Sequence, residues 1–277
     1  MKRKRVISGV IYLFLFFNSF SIILSAQTTA AEELNLGVQA FRNSKLDEAA
    51  QHFQRCTVLD PDNSLAHLYL ATTYLQQYIP GVETRENTDL AEHAIEQYQG
   101  VLHGEPTATA KINSTKGIGY LYLQMKRSDD AKQYYHMAAD LDLDDPENYY
   151  SLGVIDWTLT YVPRQEARAK LGVKPEGSLQ KKSPSVCAEI REKNARNVQE
   201  GIDNLNKAIQ LRPDYDDAMA YLNLMYREKA DIECDDPAAR ENDLRTADDW
   251  VDKTMAVKKV KANKAAGAAS PSVASPR

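Results

Sequence analysis

The chain reads as an all-α protein, a solenoid of about five stacked helix-turn-helix units, and three observations predict it. A set of small, bulky and aromatic residues recurs with a period of 34 residues, and insertions interrupt it always at the same point of the unit. Within each unit the apolar residues fall three and four apart, which is the spacing of an amphipathic helix. Prolines close units at Pro61, Pro106 and Pro213, where a helix cannot continue. Composition agrees: of 277 residues 43% are hydrophobic and 26% charged, with 12 Gly and 11 Pro, which excludes collagen-like, low-complexity and polytopic membrane classes.

The units follow one another in order. The first begins at Ala30 and carries Leu36, Gly37, Ala49, Phe53 and Pro61 at positions 7, 8, 20, 24 and 32. The second restarts at Ser64 with Leu70, Ala71, Tyr74, Ala94, Tyr98 and Pro106. The third restarts at Ile112 with Ile118, Gly119, Tyr122, Ala131, Tyr135 and Ala138. The fourth runs from Pro146 with Leu152 and Gly153 and closes with Leu205, Ala208 and Pro213. The fifth begins at Asp216 with Leu222 and Tyr226, and its second half shows only Ala247 and Val251. Small residues at positions 8 and 20 let two helix backbones approach, and the bulky ones fill the space around that contact. One pair cannot bury its own apolar face, but five stacked pairs can.

This pattern resembles the tetratricopeptide repeat (TPR) family over roughly residues 30–257, with repeats near 30–63, 64–108, 112–145, 146–215 and 216–257. The resemblance implies a right-handed α-solenoid that binds a peptide or helix of a partner protein in a concave groove lined by the first helix of each unit. Carried onto this chain, the family's groove positions give Tyr69, Thr72 and Gln76, then Lys116, Tyr120 and Gln124, then Tyr150 and Trp157, then Tyr221 and Arg227. Tyr and Trp supply contact area at low entropic cost, and amides reach a peptide backbone. The same rings are equally suited to packing on the next helix. The family's clamp for a free C-terminus is not matched, because Leu34 and Val38 stand where Lys or Asn is needed.

Only units 1 and 3 keep the family's spacing between the two helices; units 2, 4 and 5 are longer there, which places all three insertions on one edge. Such an edge is either a binding rim or a place where length is tolerated. In the fourth insertion, residues 164–171 read as a short helix stopped by Gly172, and 173–182 as a loop. Ser183-Pro184 then starts a helix of 28 residues ending at Leu211, about 42 Å long at 1.5 Å per residue. Of the three cysteines, Cys56 falls at a packed position of unit 1 and should be a free thiol. Counting outward from the Pro213 turn brings Cys187 within a few residues of Cys234. A disulfide between them is the expectation, two unrelated thiols the alternative.

The ends differ from the body. Lys2–Arg5 and the apolar run after it, with small residues at Ala26 and Ala30, have the layout of a signal peptide or N-terminal membrane anchor over residues 1–26. No Cys lies near its end, so a bacterial lipoprotein is excluded. Residues 258–277, with Lys, Ala, Ser, Gly and Pro, read as a disordered basic tail. Four basic residues in the first 31 and five in the last twenty, set against a net charge of −5, leave the body with 14 excess acidic charges. A body of that sign repels phosphate backbones, so nucleic acid is a poor partner.

Chemistry finds little footing. His52, His67, His93, His103 and His136 form no metal-binding spacing, Gly117-Ile-Gly119 lacks the further glycine of a phosphate loop, and 140–145 lacks the residues of a calcium loop. No catalytic residue, metal or cofactor is called for. The reading is a non-enzymatic protein–protein interaction scaffold or adaptor, exported to the periplasm or cell envelope or secreted. Its contact with a membrane is through the N-terminal segment only, where that is retained. The alternative is an accessory subunit or enzyme whose site lies on the inserted edge.

Overall fold

The computed structural model describes residues 28–174 and 177–269. The signal or anchor assigned to 1–26 therefore lies outside the described residues, as do the last eight residues of the tail. Among the described residues there are eleven helices and no strand. They pair as α1 (Ala30–Arg42) with α2 (Leu46–Leu59), α3 (Ser64–Gln77) with α4 (Arg85–His103), and α5 (Ala108–Gln124) with α6 (Ser128–Leu141). In the fourth unit α7 (Pro146–Leu171) pairs with α9 (Pro184–Leu211) across the single turn α8 (Leu179–Lys182). In the fifth, α10 (Asp216–Ile232) pairs with α11 (Pro237–Ala269). Each helix packs on its partner, and the second long helix of each unit packs on the first helix of the next, which is the connectivity of an α-solenoid.

Small residues do at the seams what their spacing predicts. Ala49, Ala71, Ala94, Ala131 and Ala247 are each 0% exposed. At Gly37 a Cβ would stand 2.5 Å from the Phe53 ring, so only glycine lets α1 close on α2. Phe53, Tyr98, Tyr135 and Leu205, at position 24 of the first four units, are all buried. Val251, at that position of the fifth, is exposed, and among the described residues no further unit packs over it. Helix starts are capped by side chains: Thr29 and Glu32 form a reciprocal box at α1, and Asn63, Thr84, Thr107, Asp145 and Ser183 accept from the first turns of α3, α4, α5, α7 and α9.

Units 1 and 3 turn tightly through one left-handed residue each, Ser44 (φ 58°) and Lys126 (φ 61°). The insertions in units 4 and 5 are absorbed mainly as extra helical turns, and in unit 2 as a loop of residues 78–84 ahead of the 19-residue α4. The long helix α9 has the 28 residues read from the sequence. Residues 164–171, however, are not a separate short helix. They are the last turns of the 26-residue α7, which continues through Pro163 and stops at Gly172 in the left-handed region. A proline inside a helix frees a backbone carbonyl in the preceding turn. That carbonyl is Leu159's; next to it, Asn194 of α9 donates to the Thr160 carbonyl at 2.9 Å, and Arg164 and Arg168 anchor the extension to α10.

The tail also departs from expectation, since residues 258–269 are helical, not disordered. Lys261 reaches back to Asp216 at 2.5 Å. Burial alone argues for disorder here, but extending an existing helix needs no nucleation, and Ala and Lys extend one well.

Candidate functional site

The ten groove candidates lie on α3, α5, α7 and α10, and the structure gives them unequal parts. Tyr69 stacks on Phe53 with centroids 5.2 Å apart and meets Phe41 edge-on at 5.9 Å, so it closes the seam between units 1 and 2. Thr72 turns its hydroxyl onto the Leu68 carbonyl of its own helix, whereas Gln76 is exposed. Lys116 pairs with Asp145, the cap of α7, at 2.6 Å. Tyr120 is half-buried against the core of the first units. Gln124 lines a separate cavity of 260 Å³ with Tyr78, Val82 and Lys126, beneath the loop of unit 2.

Tyr150, Trp157 and Tyr221 are brought together between α7 and α10. Tyr150 and Trp157 each meet the Tyr221 ring nearly perpendicular, at 5.7 and 5.4 Å, the favoured edge-to-face arrangement. Tyr215 extends the row at one end, 4.9 Å from Tyr150, and Tyr161 at the other, 4.7 Å from Trp157. The three central rings are half-buried, so each keeps one side open. Burial, with Tyr221 and two carboxylates nearby, pushes the Tyr150 phenol up to about 12. Burial likewise raises Tyr221, so both stay neutral hydrogen-bonding groups at physiological pH. The row is fixed at its base, where Tyr215 donates to Glu147 at 2.6 Å while Arg212 holds the other Glu147 oxygen at 2.8 Å. Arg227, also on α10, is held by Asn223 at 3.0 Å and Asp248 at 2.7 Å.

Three features of the inserted edge have no counterpart among those candidates. First, Arg164 and Arg168 on α7 face Glu228 and Asp231 on α10, all four nearly or fully removed from solvent. Arg168 lies 2.6 Å from Asp231 and Arg164 3.0 Å from it. Arg164 Nε is 2.9 Å from Glu228, within ion-pair distance but off the N–H direction. Burial raises the Glu228 carboxyl to about 7 against the pull of the arginines. Second, Lys132 of α6 reaches the fully buried Asp156 at 2.6 Å and Glu200 at 2.7 Å, and burial holds Asp156 at about 6. Third, Cys187 and Cys234 form a disulfide with Cα atoms 5.8 Å apart, the pair that the helix count brings together, while Cys56 is a buried free thiol. The ionic pairs had a signal, Arg at i and i+4 on one helix and Glu and Asp at i and i+3 on another. Reading 164–171 as a detached helix hid it.

Among the described residues no group of three or more His, Cys, Asp or Glu is placed to hold a metal ion, and no helix is long and apolar enough to cross a membrane. No protein-family model matches the chain, and no curated protein matches it. Solved structures do. A MamA protein matches with TM-score 0.56 at 16% identity, over 84% of this chain and 94% of that one. MamA (residues 41 to end) from Desulfovibrio magneticus RS-1 matches with TM-score 0.54 at 14% identity, over 83% and 96%. YrrB, described as a TPR protein with an unusual peptide-binding site, matches with TM-score 0.52 at 13% identity, over 84% and 91%. Five helix pairs, small residues at every seam and likeness to these structures along nearly their whole length give this chain the tetratricopeptide-repeat fold.

Proposed function

We propose that this protein is a non-enzymatic interaction scaffold of the cell envelope that holds a peptide or helix of a partner protein along the faces of α7 and α10. The observation that carries the reading is the row of half-buried rings formed by Tyr150, Tyr221 and Trp157. Rings fixed by edge-to-face contacts and open on one side offer apolar area without further loss of side-chain entropy, the property of residues that dominate protein interfaces. The peptide-binding site named for YrrB, a protein of the same fold, supports the same direction. The test uses the full chain carrying Trp157→Ala and Tyr221→Ala as bait in envelope extract. Capture of the protein retained by the unaltered chain should fall at least tenfold while helical circular dichroism is kept. Undiminished capture would remove the groove reading, and loss of the helical signal would assign both rings to the core.

Export is part of the proposal. A disulfide persists in an oxidising compartment, and the acidic body fits an envelope location as well as any. The structure of α1 bears on the cleavage site. Thr29 caps the helix, and Thr28 donates to the buried Glu33 at 2.6 Å. Cleavage after Ala26 keeps both contacts, whereas cleavage after Ala30 removes both. A mature chain beginning at Gln27, read by mass spectrometry of the envelope fraction, is the expected result; a cytoplasmic chain retaining Met1 would overturn export.

A further inference from the structure

The fourth unit projects beyond the third on the inserted edge. α6 has 14 residues, whereas α7 and α9, which pack on each other, have 26 and 28. In the solenoid the second helix of one unit covers the first helix of the next, and α6 covers α7 only up to its own first turns. There Asp129 and Lys132 of α6 line a cavity of 560 Å³ with Leu159 and Pro163 of α7 and Asn197 of α9. Above it the seam between α7 and α9 continues as a cleft of 230 Å³, which shares Pro163 and Lys193 with the cavity below. That cleft is lined by α7 and α9 alone, since no residue of units 1–3 reaches it.

The cleft has an apolar floor and a charged rim. Ala167 and Leu171 of α7 and Val186 and Ile190 of α9 form the floor, and Val162, one turn before Glu166, is 49% exposed beside it. The rim carries Glu166 and Lys170 on α7 and Glu189 and Lys193 on α9. The two helices run in opposite directions. Lys193, and at longer range Lys170, lower the Glu189 carboxyl, so Lys170 stands level with Glu189. Four residues back along α7 and four on along α9 lead the same way, so Glu166 stands level with Lys193. The four charges thus form a two-by-two checkerboard. Glu166 and Lys170 make no hydrogen bond or ion pair among the described residues, and Lys193–Glu189 is an exposed pair of the kind that exchanges partners cheaply.

A checkerboard of charge is complementary to its own image turned about a two-fold axis lying in the face. With the axis across the helices, the two projections lie antiparallel. Glu166 of one copy then meets Lys170 of the other, and Glu189 meets Lys193. The same axis sets the tip of each projection, with Lys181 and Lys182 on α8, over the step at Asp129 of the other copy, in the space that unit 3 leaves open. An axis along the helices would instead drive unit 3 of one copy into unit 4 of the other. A second copy carries the matching pattern by symmetry, and each contact is made twice.

We infer that this face is a homodimer interface, in which a second copy of the chain covers the exposed seam of α7 and α9. The contact is isologous, so the assembly closes at two. The floor supplies apolar area, and the checkerboard fixes register and rejects faces of other charge pattern. Two helix widths by the length of the projection come to roughly 20 by 15 Å, which places the dimer among weak, reversible complexes. The inference rests on the face turned toward unit 3 and is independent of the aromatic row, which faces α10.

The test is analytical ultracentrifugation of the mature chain, disulfide intact, from about 5 to about 500 µM, the range in which interfaces of this size titrate. The mass should rise from one chain to two. Lys170→Glu alone and Glu166→Lys alone should each weaken association at least tenfold while keeping the helical circular dichroism, since both side chains are exposed. An equimolar mixture of the two variants should associate again, because a copy with two acids on α7 meets a copy with two bases. Lys259→Glu, on the exposed end of α11, should change nothing. A chain that stays monomeric overturns the proposal, as does assembly beyond two, association that either single variant leaves intact, or a mixture that associates no better than its components. If the chain is monomeric and Lys170→Glu loses a protein that the unaltered chain captures from envelope extract, the face belongs to that other protein and the proposal fails.

Discussion

Units 1–3 and units 4–5 share one repeat but are held together by different physics. In the first three, the seams are alanines at 0% exposure, glycines and single aromatic rings, and the helices have repeat length apart from the extended α4. In the last two, α7, α9 and α11 run to 26, 28 and 33 residues, and their added turns carry buried arginine–carboxylate pairs and a disulfide. Apolar packing is repeatable, since each unit meets the same neighbour in the same way. The added turns have no neighbouring unit to repeat against, so their contacts are individual and directional. Buried ion pairs are weak evidence of stability but demand one geometry. The contrast separates a part built to stack from a part built to hold one shape.

The largest expected effect breaks the second region alone. The disulfide closes a segment with a sequence separation of 47. By the loop-entropy model its loss in Cys187→Ser removes about 4 kcal/mol from the inserted edge. Hydrogen exchange should show lost protection in α8, the start of α9 and the end of α10, with amides of α1–α6 little changed. Uniform loss along the chain would mean the two regions unfold as one.

The next effect separates the regions by pH, with opposite signs. Glu33 in unit 1 is buried, which alone would raise its carboxyl, but hydrogen bonds from Thr28, His52 and Arg55 outweigh burial and hold it at about 2. Between about 4.5 and 2 the unfolded chain binds the extra proton, so unit 1 gains stability above that window and loses it as pH falls through it. The full contribution is on the order of 3 kcal/mol. Glu228 and Asp156 behave in reverse, being raised by burial to about 7 and about 6. There the folded chain holds the proton longer, so units 4 and 5 lose stability as pH rises from about 4 to about 7. Exchange rates measured at pH 3, 5 and 7.5 should therefore rank unit 1 as weakest in acid and α7–α10 as weakest at the highest pH. In Glu228→Gln the second trend should flatten.

The same division explains what was legible in the sequence. Gly37, Ala49 and Phe53 sit at fixed offsets, and offsets are visible in a string of letters; so were the 28 residues of α9, framed by Ser183-Pro184 and Pro213. The aromatic row was half visible, since Tyr150, Trp157 and Tyr221 were named one by one and only the structure joins them across α7 and α10. The buried arginine–carboxylate pairs were legible only as charges at helical spacing on each of two helices; which charge meets which was not, because Arg168 meets Asp231 at a separation of 63 residues and no period links them. Asn87 was hidden for the same reason. It holds the unit 2 insertion by hydrogen bonds to Ile79 N–H, Ile79 C=O and Val82 C=O, each at 2.8 Å, contacts that depend on the shape of one loop.

The smallest effect tests the turns. Unit 1 reverses through Ser44 at φ 58°, a left-handed conformation that strains a residue with a side chain, whereas the long helix α7 of unit 4 ends on Gly172 at φ 62°, where glycine is at ease. Ser44 is exposed. Ser44→Gly removes left-handed strain of about 1–2 kcal/mol, offset by the greater freedom glycine has when unfolded, about 0.5–1 kcal/mol. A net gain of about 0.5–1 kcal/mol is expected in unit 1. Gly172→Ala runs the other way, adding left-handed strain of about 1–2 kcal/mol, offset by about 0.5–1 kcal/mol because alanine has less freedom to lose from the unfolded chain, and should cost units 4 and 5 about 0.5–1 kcal/mol. Urea melts followed by tryptophan emission read the second change, since Trp157 and Trp250 both lie in those units. Exchange of the α1 and α2 amides reads the first. If Ser44→Gly weakens unit 1, the tight turn gains more from serine than its backbone loses, and the regions do not differ in how their turns are made.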